Sequence, residues 1–359
     1  MANDSRTLLA STCAKLFTDH VTPALIEAAE KGTWPAALWQ MLEENGLTLP
    51  QIPESRGGAG GEWGDAHVVL AATGRFAVPL PVAETMIGAW LLSASGLDVP
   101  LGPLAVAPVR PAEKLVLTRD GGGWRLTGTA ARVPWGASAG HVVVSAEGDE
   151  QRMIALVRGG TAKAEPDVNL AQEPRDTLQW TNAPVLATAP AGAALSADAL
   201  VLGGALARSA QMAGGLEFLL AQSVKYVTER IQFGRPLASF QAIQHQLALL
   251  AGHTAAAGMA AQHAFAAMDS RGAGDTGDAG FEIAAAKIRT GEAAGLGAGI
   301  AHQCHGAIGF TYEHTLHFVT RRLWSWRAEF GAEAHWAASL GREVAARGAD
   351  ALWPHLTSR

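Results

Sequence analysis

The sequence is short of the features that mark most specialised chains. It has two cysteines, Cys13 and Cys304, too few and too far apart for a disulfide framework or a metal-type spacing, so both are expected as free thiols in a reducing compartment. Charged residues are 17% of the chain and the net charge is −6. Lys and Arg nowhere form a run, which excludes the electrostatic footprint of a nucleic-acid binder. No apolar stretch reaches the roughly 18 residues that a membrane-spanning helix needs. The first residues lack a basic segment followed by an apolar one, so no secretory signal is expected and the chain is placed in the cytoplasm. Beyond a bias to Ala there is no low-complexity tract and no internal repeat.

What is present describes a folded chain with a sizeable core. At 359 residues, 48% of them hydrophobic, two or three packed units are expected. From Leu8 to Leu92 apolar residues recur at helical spacing, as in Leu38, Met41 and Leu42, which predicts several helices. The segment Gln51 to Gly64, with Pro53 and Gly57, Gly58, Gly60 and Gly61, reads as a surface loop. Trp34, Trp39, Trp63 and Trp90 are expected as core aromatics.

Between Leu104 and Val185 the texture changes to short strand-like runs separated by turns such as Asp120 to Gly123, which predicts a compact β domain. Within it, Val133-Pro134-Trp135-Gly136 is expected at an edge or in a loop. An Ala, Pro and Gly rich connection from Ala187 to Ala194 then leads into a long helix over Ser196 to Arg230. Further helical segments are expected over Gln241 to Arg271, Gly280 to His305 and Tyr312 to Trp326, with a tail to about Arg347 and a loop at Gly272 to Gly280. They predict an antiparallel helix bundle. The boundaries are 1–103 for an N-terminal helical domain, 104–194 for a middle β domain and 195–359 for the bundle.

Two clusters carry chemistry. The first runs from Glu229 through Arg230, Phe233, Gly234 and Arg235 to Ser239-Phe240-Gln241. Arg230 offers a rigid fork of donors suited to a diphosphate, Phe233 a flat face for a ring, and Gly234 a sharp turn. Taken alone, the cluster is equally well a helix C-terminus with a cationic last turn and a glycine stop. The second, Gln303-Cys304-His305-Gly306-Ala307-Ile308-Gly309-Phe310-Thr311, lies where one helix ends and another begins, and its glycines permit close approach of backbone to a ligand.

In that order, with a long Ala-rich helical pair between them, the two clusters resemble the acyl-CoA dehydrogenase family. The resemblance extends to Glu44-Asn45-Gly46-Leu47 and Pro53 to Gly60 at the N-terminal side and covers nearly the whole chain. It implies a mainly α fold with a central β-barrel-like domain and a C-terminal four-helix bundle, assembled as dimers or tetramers with FAD near subunit interfaces. It makes Arg230, Phe233 and Gln241 ligands of the FAD pyrophosphate and adenosine half, typically that of a neighbouring subunit, with Gln303 and Gly306 completing the clamp.

The implied chemistry is removal of the α-proton of an acyl-CoA thioester by a carboxylate, with hydride passing to the flavin and on to an electron-transfer flavoprotein or similar acceptor. Here the chain departs from the family. Phe330 occupies the usual base position, and the alternative position near Gly203 to Ala205 has no carboxylate either. Glu329 is the one candidate nearby, although a neighbouring helical residue points about 100° away. The family's Thr-Glu-Pro loop has no match around Val106 to Leu117, and Val133-Pro134-Trp135 fills the later flavin-facing strand.

These losses resemble the smaller, degenerate subunit of heteromeric acyl-CoA dehydrogenases, including those of lipid or steroid degradation, where a homologous partner subunit contributes the base. Two alternatives stand beside that one: a homomeric flavoprotein using Glu329, and a non-catalytic assembly protein that keeps the fold.

His302, His305, His314 and His317 form two His-x-x-His pairs. They lack Glu-x-x-His companions, and His305 falls within the flavin motif, so no metal is expected. The stretch Arg321 to Arg327 is expected to pack at an interface or in the core, with its arginines solvated.

Overall fold

In a computed structural model, which describes residues 2–110, 112–192, 195–271 and 276–358, the chain opens with α1 (Ala2–His20), α2 (Pro23–Glu30), α3 (Ala36–Glu44), α4 (Trp63–Arg75) and α5 (Val82–Ala94). Local chemistry sets their ends. α2 has Pro23 in its first turn, and the Thr22 hydroxyl accepts from the Leu25 amide at 3.2 Å, the expected use of an N-cap and an early proline. α4 begins with a reciprocal capping box between Glu62 and Asp65. α5 is buried on every side from Val82 to Leu92, which places it between layers rather than on a surface.

The β region holds β1 (Leu104–Ala107), β2 (Leu115–Asp120), β3 (Gly123–Pro134), β4 (His141–Gly148), β5 (Gln151–Arg158), β6 (Lys163–Glu165) and β7 (Arg175–Pro190). Their order is β1-β4-β2-β3-β7-β5, β6 lies on β7, and β4 also pairs with β5, so the sheet returns on itself like a small barrel. β4 and β5 are joined by Asp149 and Glu150, both at positive φ, a turn whose twist suits the hairpin. The interior is a separate core built on Leu117, Leu126, Val144, Val157 and Trp180.

Two expectations about this region are corrected. Pro134 is the last residue of a central strand, paired with Arg175 on β7, where the missing amide costs nothing because the ladder ends there. Residues 187–190 are not linker. They extend β7 alongside β5, with Ala187 opposite Leu156 and Pro190 opposite Met153.

The C-terminal part contains α6 (Ala199–Glu229), the two-residue strands β8 (Ile231–Gln232) and β9 (Arg235–Pro236), then α7 (Gln241–Arg271), α8 (Thr276–His305), α9 (Leu316–Ala328), α10 (Glu333–Arg347) and α11 (Ala349–Thr357). Of the loop expected at Gly272 to Gly280, residues 272–275 lie outside the described residues and 276–280 are helical. Among the described residues no helix is long and apolar enough to cross a membrane.

The N-terminal helices share one continuous core with the bundle, through Trp63, Trp90, Leu206 and Phe265 among others. The Trp63 and Trp90 rings meet edge to face at 5.4 Å. Asp269 on α7 accepts from the Trp63 and Gly64 amides at 2.6 and 3.0 Å, satisfying donors that the start of α4 leaves open. α4 crosses α6 backbone to backbone. A Cβ added at Gly74 would lie 1.9 Å from the Gln211 carbonyl oxygen, and one at Gly214 would lie 1.9 Å from that of Ala71.

Such contacts leave no room for a methyl group. We predict that Gly74→Ala or Gly214→Ala lowers stability by about 1–3 kcal/mol or more. Gly341→Ala on α10, where an added Cβ meets nothing, should instead be neutral or stabilise by about 0.5–1 kcal/mol. Urea denaturation midpoints of the three variants check this.

Candidate functional site

The first cluster sits at the far end of α6. Arg230 leaves the helix in an extended conformation, its amide still donating to Tyr226 O at 2.8 Å. The chain then makes a tight hairpin whose corner is Phe233 and Gly234, at φ 53 and 78. Glycine adopts that geometry freely. A phenylalanine there is strained, and its ring is 87% exposed. Strain kept at an exposed aromatic points to a role beyond folding. Arg235 lies over the Phe240 ring at 4.1 Å, and Gln241 opens α7.

The second cluster ends α8. Gly306 has φ 64 and open space where a side chain would be. The two clusters meet through a ring stack, Tyr226 on His305 at 4.5 Å and 23°. Arg230 is one helical turn beyond Tyr226 and Gln303 half a turn before His305, so both stand at one end of the bundle. Arg230, Phe233, Gln241, Gln303 and Gly306 are all exposed. Among the described residues the side chains of Arg230, Gln241 and Gln303 have no partner within the chain, an arrangement open to a ligand.

Away from this end, a cavity of about 480 Å³ opens between the β region and the bundle, lined by Val109, Arg110, Arg132, Pro134, Trp324 and Phe330 among others. Phe330 is at φ 52 and is 2% exposed. Its ring lies on the backbone of α6, so that a Cβ added at Gly204 would fall 2.1 Å from it. Phe330 and Gly204, at the two positions where the resemblance led us to look for a base, therefore face each other, with the aromatic ring filling the space between them.

Glu329 points elsewhere, as its place in the turn dictates. Its carboxylate accepts from Arg175 Nε at 2.7 Å and Nη2 at 3.1 Å and from Arg208 Nε at 2.8 Å. Burial alone would raise its pKa, but the two guanidiniums outweigh burial and hold it down from 4.5 to about 2. A base poised for proton abstraction near neutral pH needs the opposite shift.

The pair belongs to a longer chain of buried charges. Arg208 also bonds Glu84 on α5, and Gln211 at 2.5 Å. Arg175 bonds Glu173 at 2.9 Å, Glu173 pairs with Arg322 at 3.1 Å, and Glu30 on α2 lies 3.6 Å from Arg322 and 2.8 Å from Arg321. The expectation of solvated arginines in the Arg321 to Arg327 stretch is thus corrected: the Arg322 side chain is 0% exposed. Lys287, buried in α8, donates to Arg327 O and Gly331 O at 2.7 and 2.8 Å, which fixes the turn bearing Glu329 and Phe330. Burial holds its ammonium down to about 8.

Sequence reasoning did not reach Glu84, Glu173, Arg175, Arg208 or Lys287. A signal existed for two of them, since Glu84 and Arg208 are isolated charges within otherwise apolar helical runs, and such charges are seldom buried without a partner. Among the described residues no group of three or more His, Cys, Asp or Glu side chains is arranged to hold a metal.

A β barrel set between N-terminal helices and a C-terminal helix bundle, with a cavity at the junction, is the fold of acyl-CoA dehydrogenases. The chain belongs to the acyl-CoA dehydrogenase family. Residues 3–98 match the model for the family's N-terminal domain and residues 195–344 that for its C-terminal domain. Acyl-CoA dehydrogenase IpdE2 of Mycobacterium tuberculosis is 30% identical over 323 residues, 89% of this chain and 91% of that protein.

Among solved structures, the ChsE4-ChsE5 complex from Mycobacterium tuberculosis superposes with a TM-score of 0.86 at 24% identity, over 96% of this chain and 98% of that one. A variant of the steroid acyl-CoA dehydrogenase Tcur3481-Tcur3483 gives 0.84 at 27%, over 95% and 98%. The family consists of FAD flavoproteins of the oxidoreductase class.

Because the folded pKa of Glu329 is depressed, its contribution to stability is present above pH 4.5 and is lost as the pH falls through 2. We predict that Glu329→Gln costs about 3 kcal/mol at pH 7. The gap should close as the pH approaches 2, where the protonated native side chain resembles glutamine. Denaturation of both proteins across that pH range measures it.

Proposed function

We propose that the chain is one subunit of a heteromeric FAD-dependent acyl-CoA dehydrogenase whose homologous partner supplies the catalytic base, acting on lipid- or steroid-type acyl-CoA thioesters. The observation that carries this is the Phe330 ring seated on Gly204, beside a Glu329 bound by two guanidiniums. A second copy of this chain would bring Phe330 and Gly204 again, so a homomer has no carboxylate at either position. That favours a different, base-bearing partner. The ChsE4-ChsE5 neighbour is itself a two-component complex, and the Tcur3481-Tcur3483 neighbour is described as a steroid enzyme.

The residues present suit the cofactor that the family implies. FAD, when bound, accepts the hydride from the β-carbon and hands electrons on to an electron-transfer flavoprotein or a similar acceptor. Arg230 would take its diphosphate, Gln241, Gln303 and the Gly306 backbone its ribose and adenine side, and Phe233 a flat ring face. In the cavity, Phe330 and Trp324 supply apolar wall. Glu329 cancels charge on Arg175 and Arg208 rather than moving a proton.

The test is expression of the full chain alone and together with a base-bearing homologue, with flavin absorbance and acyl-CoA-dependent dye reduction recorded for each. Turnover is expected only for the pair. Turnover by the chain alone that disappears in Glu329→Gln would falsify the heteromeric reading. Absence of flavin from both preparations would leave an assembly protein that has kept the fold. In the active pair, Arg230→Ala should weaken flavin retention by about 10–100-fold, the effect of losing charge-assisted hydrogen bonds worth about 1.5–3 kcal/mol.

A further inference from the structure

Beneath the turn that carries Gln303 and Gly306 lie four imidazoles. His302 and His305 come from the last turn of α8, His314 from the connection that follows, and His317 from the first turn of α9. His302, His305 and His317 are 6%, 4% and 8% exposed. The Nδ1 of His305 lies 2.7 Å from Ala301 O, and that of His317 lies 2.7 Å from His314 O. A carbonyl only accepts, so Nδ1 carries the hydrogen in both rings and Nε2 is left as a bare acceptor.

Both of those Nε2 atoms are buried without a partner, as is Nδ1 of His302, whose Nε2 meets the Thr320 hydroxyl at 3.0 Å. Polar atoms so deeply buried normally find partners. Unpartnered ring nitrogens of three imidazoles, two of them bare acceptors, thus lie together under a surface whose Arg230, Gln241 and Gln303 side chains are also unpartnered. The rings touch that surface directly: His305 stacks on Tyr226 and meets His314 at 4.8 Å, while His302 lies between Phe310 at 4.2 Å and Trp324 at 5.5 Å.

The other ionisable groups facing the nest are few. α6 contributes Tyr226 and, one turn on, Arg230. α8 contributes Cys304, the connection Glu313, and α9 Arg321 and Arg322. α2 contributes Glu27 and Glu30, of which Glu30 is already bound by both arginines. Among the described residues no carboxylate is hydrogen-bonded to any of the four rings.

We propose that His302, His305, His314 and His317 form a protonatable floor to the dinucleotide clamp, so that docking of a diphosphate at Arg230 and Gln303 is coupled to proton uptake by the nest. This rests on reading that turn as the FAD site, and it adds binding residues to it.

In the free chain, burial lowers the pKa of all four imidazoles, which favours a neutral nest at pH 7. A diphosphate brings negative charge to its roof and favours the protonated rings. The bound state then holds more protons than the free state. By linkage, affinity rises as pH falls, by at most about tenfold per pH unit for each proton taken up. Arginines do not titrate in this range and cannot produce such a slope.

The test is titration of FAD into the flavin-stripped full-length chain, in whichever assembly retains flavin, between pH 8 and pH 5.5, following quenching of flavin fluorescence. The dissociation constant is expected to fall by about 5–20-fold across that range. In His305→Gln/His314→Gln the fall across the same range should be smaller than in the unmutated protein. Calorimetry of the unmutated protein in buffers of differing ionisation enthalpy should show net proton uptake, a readout that does not depend on the variant folding. A pH-independent affinity, no proton uptake, or an unchanged slope in the double variant overturns the proposal while leaving the FAD site intact. Failure of FAD to bind at any pH removes the site and the proposal together.

Discussion

The arrangement of this molecule hangs on one chain of alternating buried charges. It runs from Glu84 through Arg208, Glu329, Arg175, Glu173 and Arg322 to Glu30 and Arg321. Its members come from α2 and α5 of the N-terminal helices, from β7 and the segment just before it, and from α6, α9 and the turn after α9, so all three structural regions meet in it. Four carboxylates face four guanidiniums, and the chain is neutral as a whole. Neutrality matters because an unpaired charge in such a place costs several kcal/mol. Each link depends on the next, since removing Glu329, Glu173 or Glu30 leaves two guanidiniums under-compensated.

A chain of this kind is weak evidence for stability as such, because apolar side chains of the same volume often serve as well. What it provides is direction. Guanidinium forks accept carboxylates only in a narrow range of geometries, so the network fixes the angle at which β region, N-terminal helices and bundle meet. The cavity lies at that junction, and Glu329 is both part of the network and part of the cavity wall. The same two guanidiniums that hold the junction suppress the basicity of its carboxylate. A carboxylate held by two guanidiniums at a pKa near 2 has little tendency to take up a proton near neutral pH. The aromatic ring at 330 then follows from packing: with Glu329 turned toward the arginines, the next side chain faces Gly204, where only a residue without a Cβ admits it.

Much of the fold was legible in the sequence because it depends on local periodicity. α7 spans the interval that spacing alone gives, and the strand-rich texture from Leu104 marks the β region at its true start. The failures are of a different kind. Residues 187–190 look like linker because Ala and Pro carry little strand propensity, yet pairing with β5 overrides propensity. Pro134 looks like an edge residue because a ladder position is closed to proline, and the ladder happens to end there. At the site, residue type and order pointed to Arg230 and Gln303, and their common location at one end of the bundle agrees with that order. The charge network as a whole was not legible, because bonded members such as Glu30 and Arg321 are 291 residues apart, and the isolated charges of Glu84 and Arg208 signal burial without naming a partner.

The two halves of the site differ in a way that bears on how the chain works. At the clamp the polar side chains are under-partnered: a strained, exposed Phe233, an unpaired Arg230, and imidazoles with bare nitrogens. At the cavity the charges engage one another, with Arg208 alone bound to Glu84, Gln211 and Glu329. Groups left unsatisfied on a well-packed scaffold are tolerated where something else completes them, whereas groups satisfied internally have little left to offer a reacting molecule. A chain built in this way would, on the proposed assignment, hold a cofactor's phosphate end and leave proton transfer to its partner. On the proposed assignment that asymmetry is a division of labour, in which the groups this chain lacks are those that a partner with an intact cavity would carry.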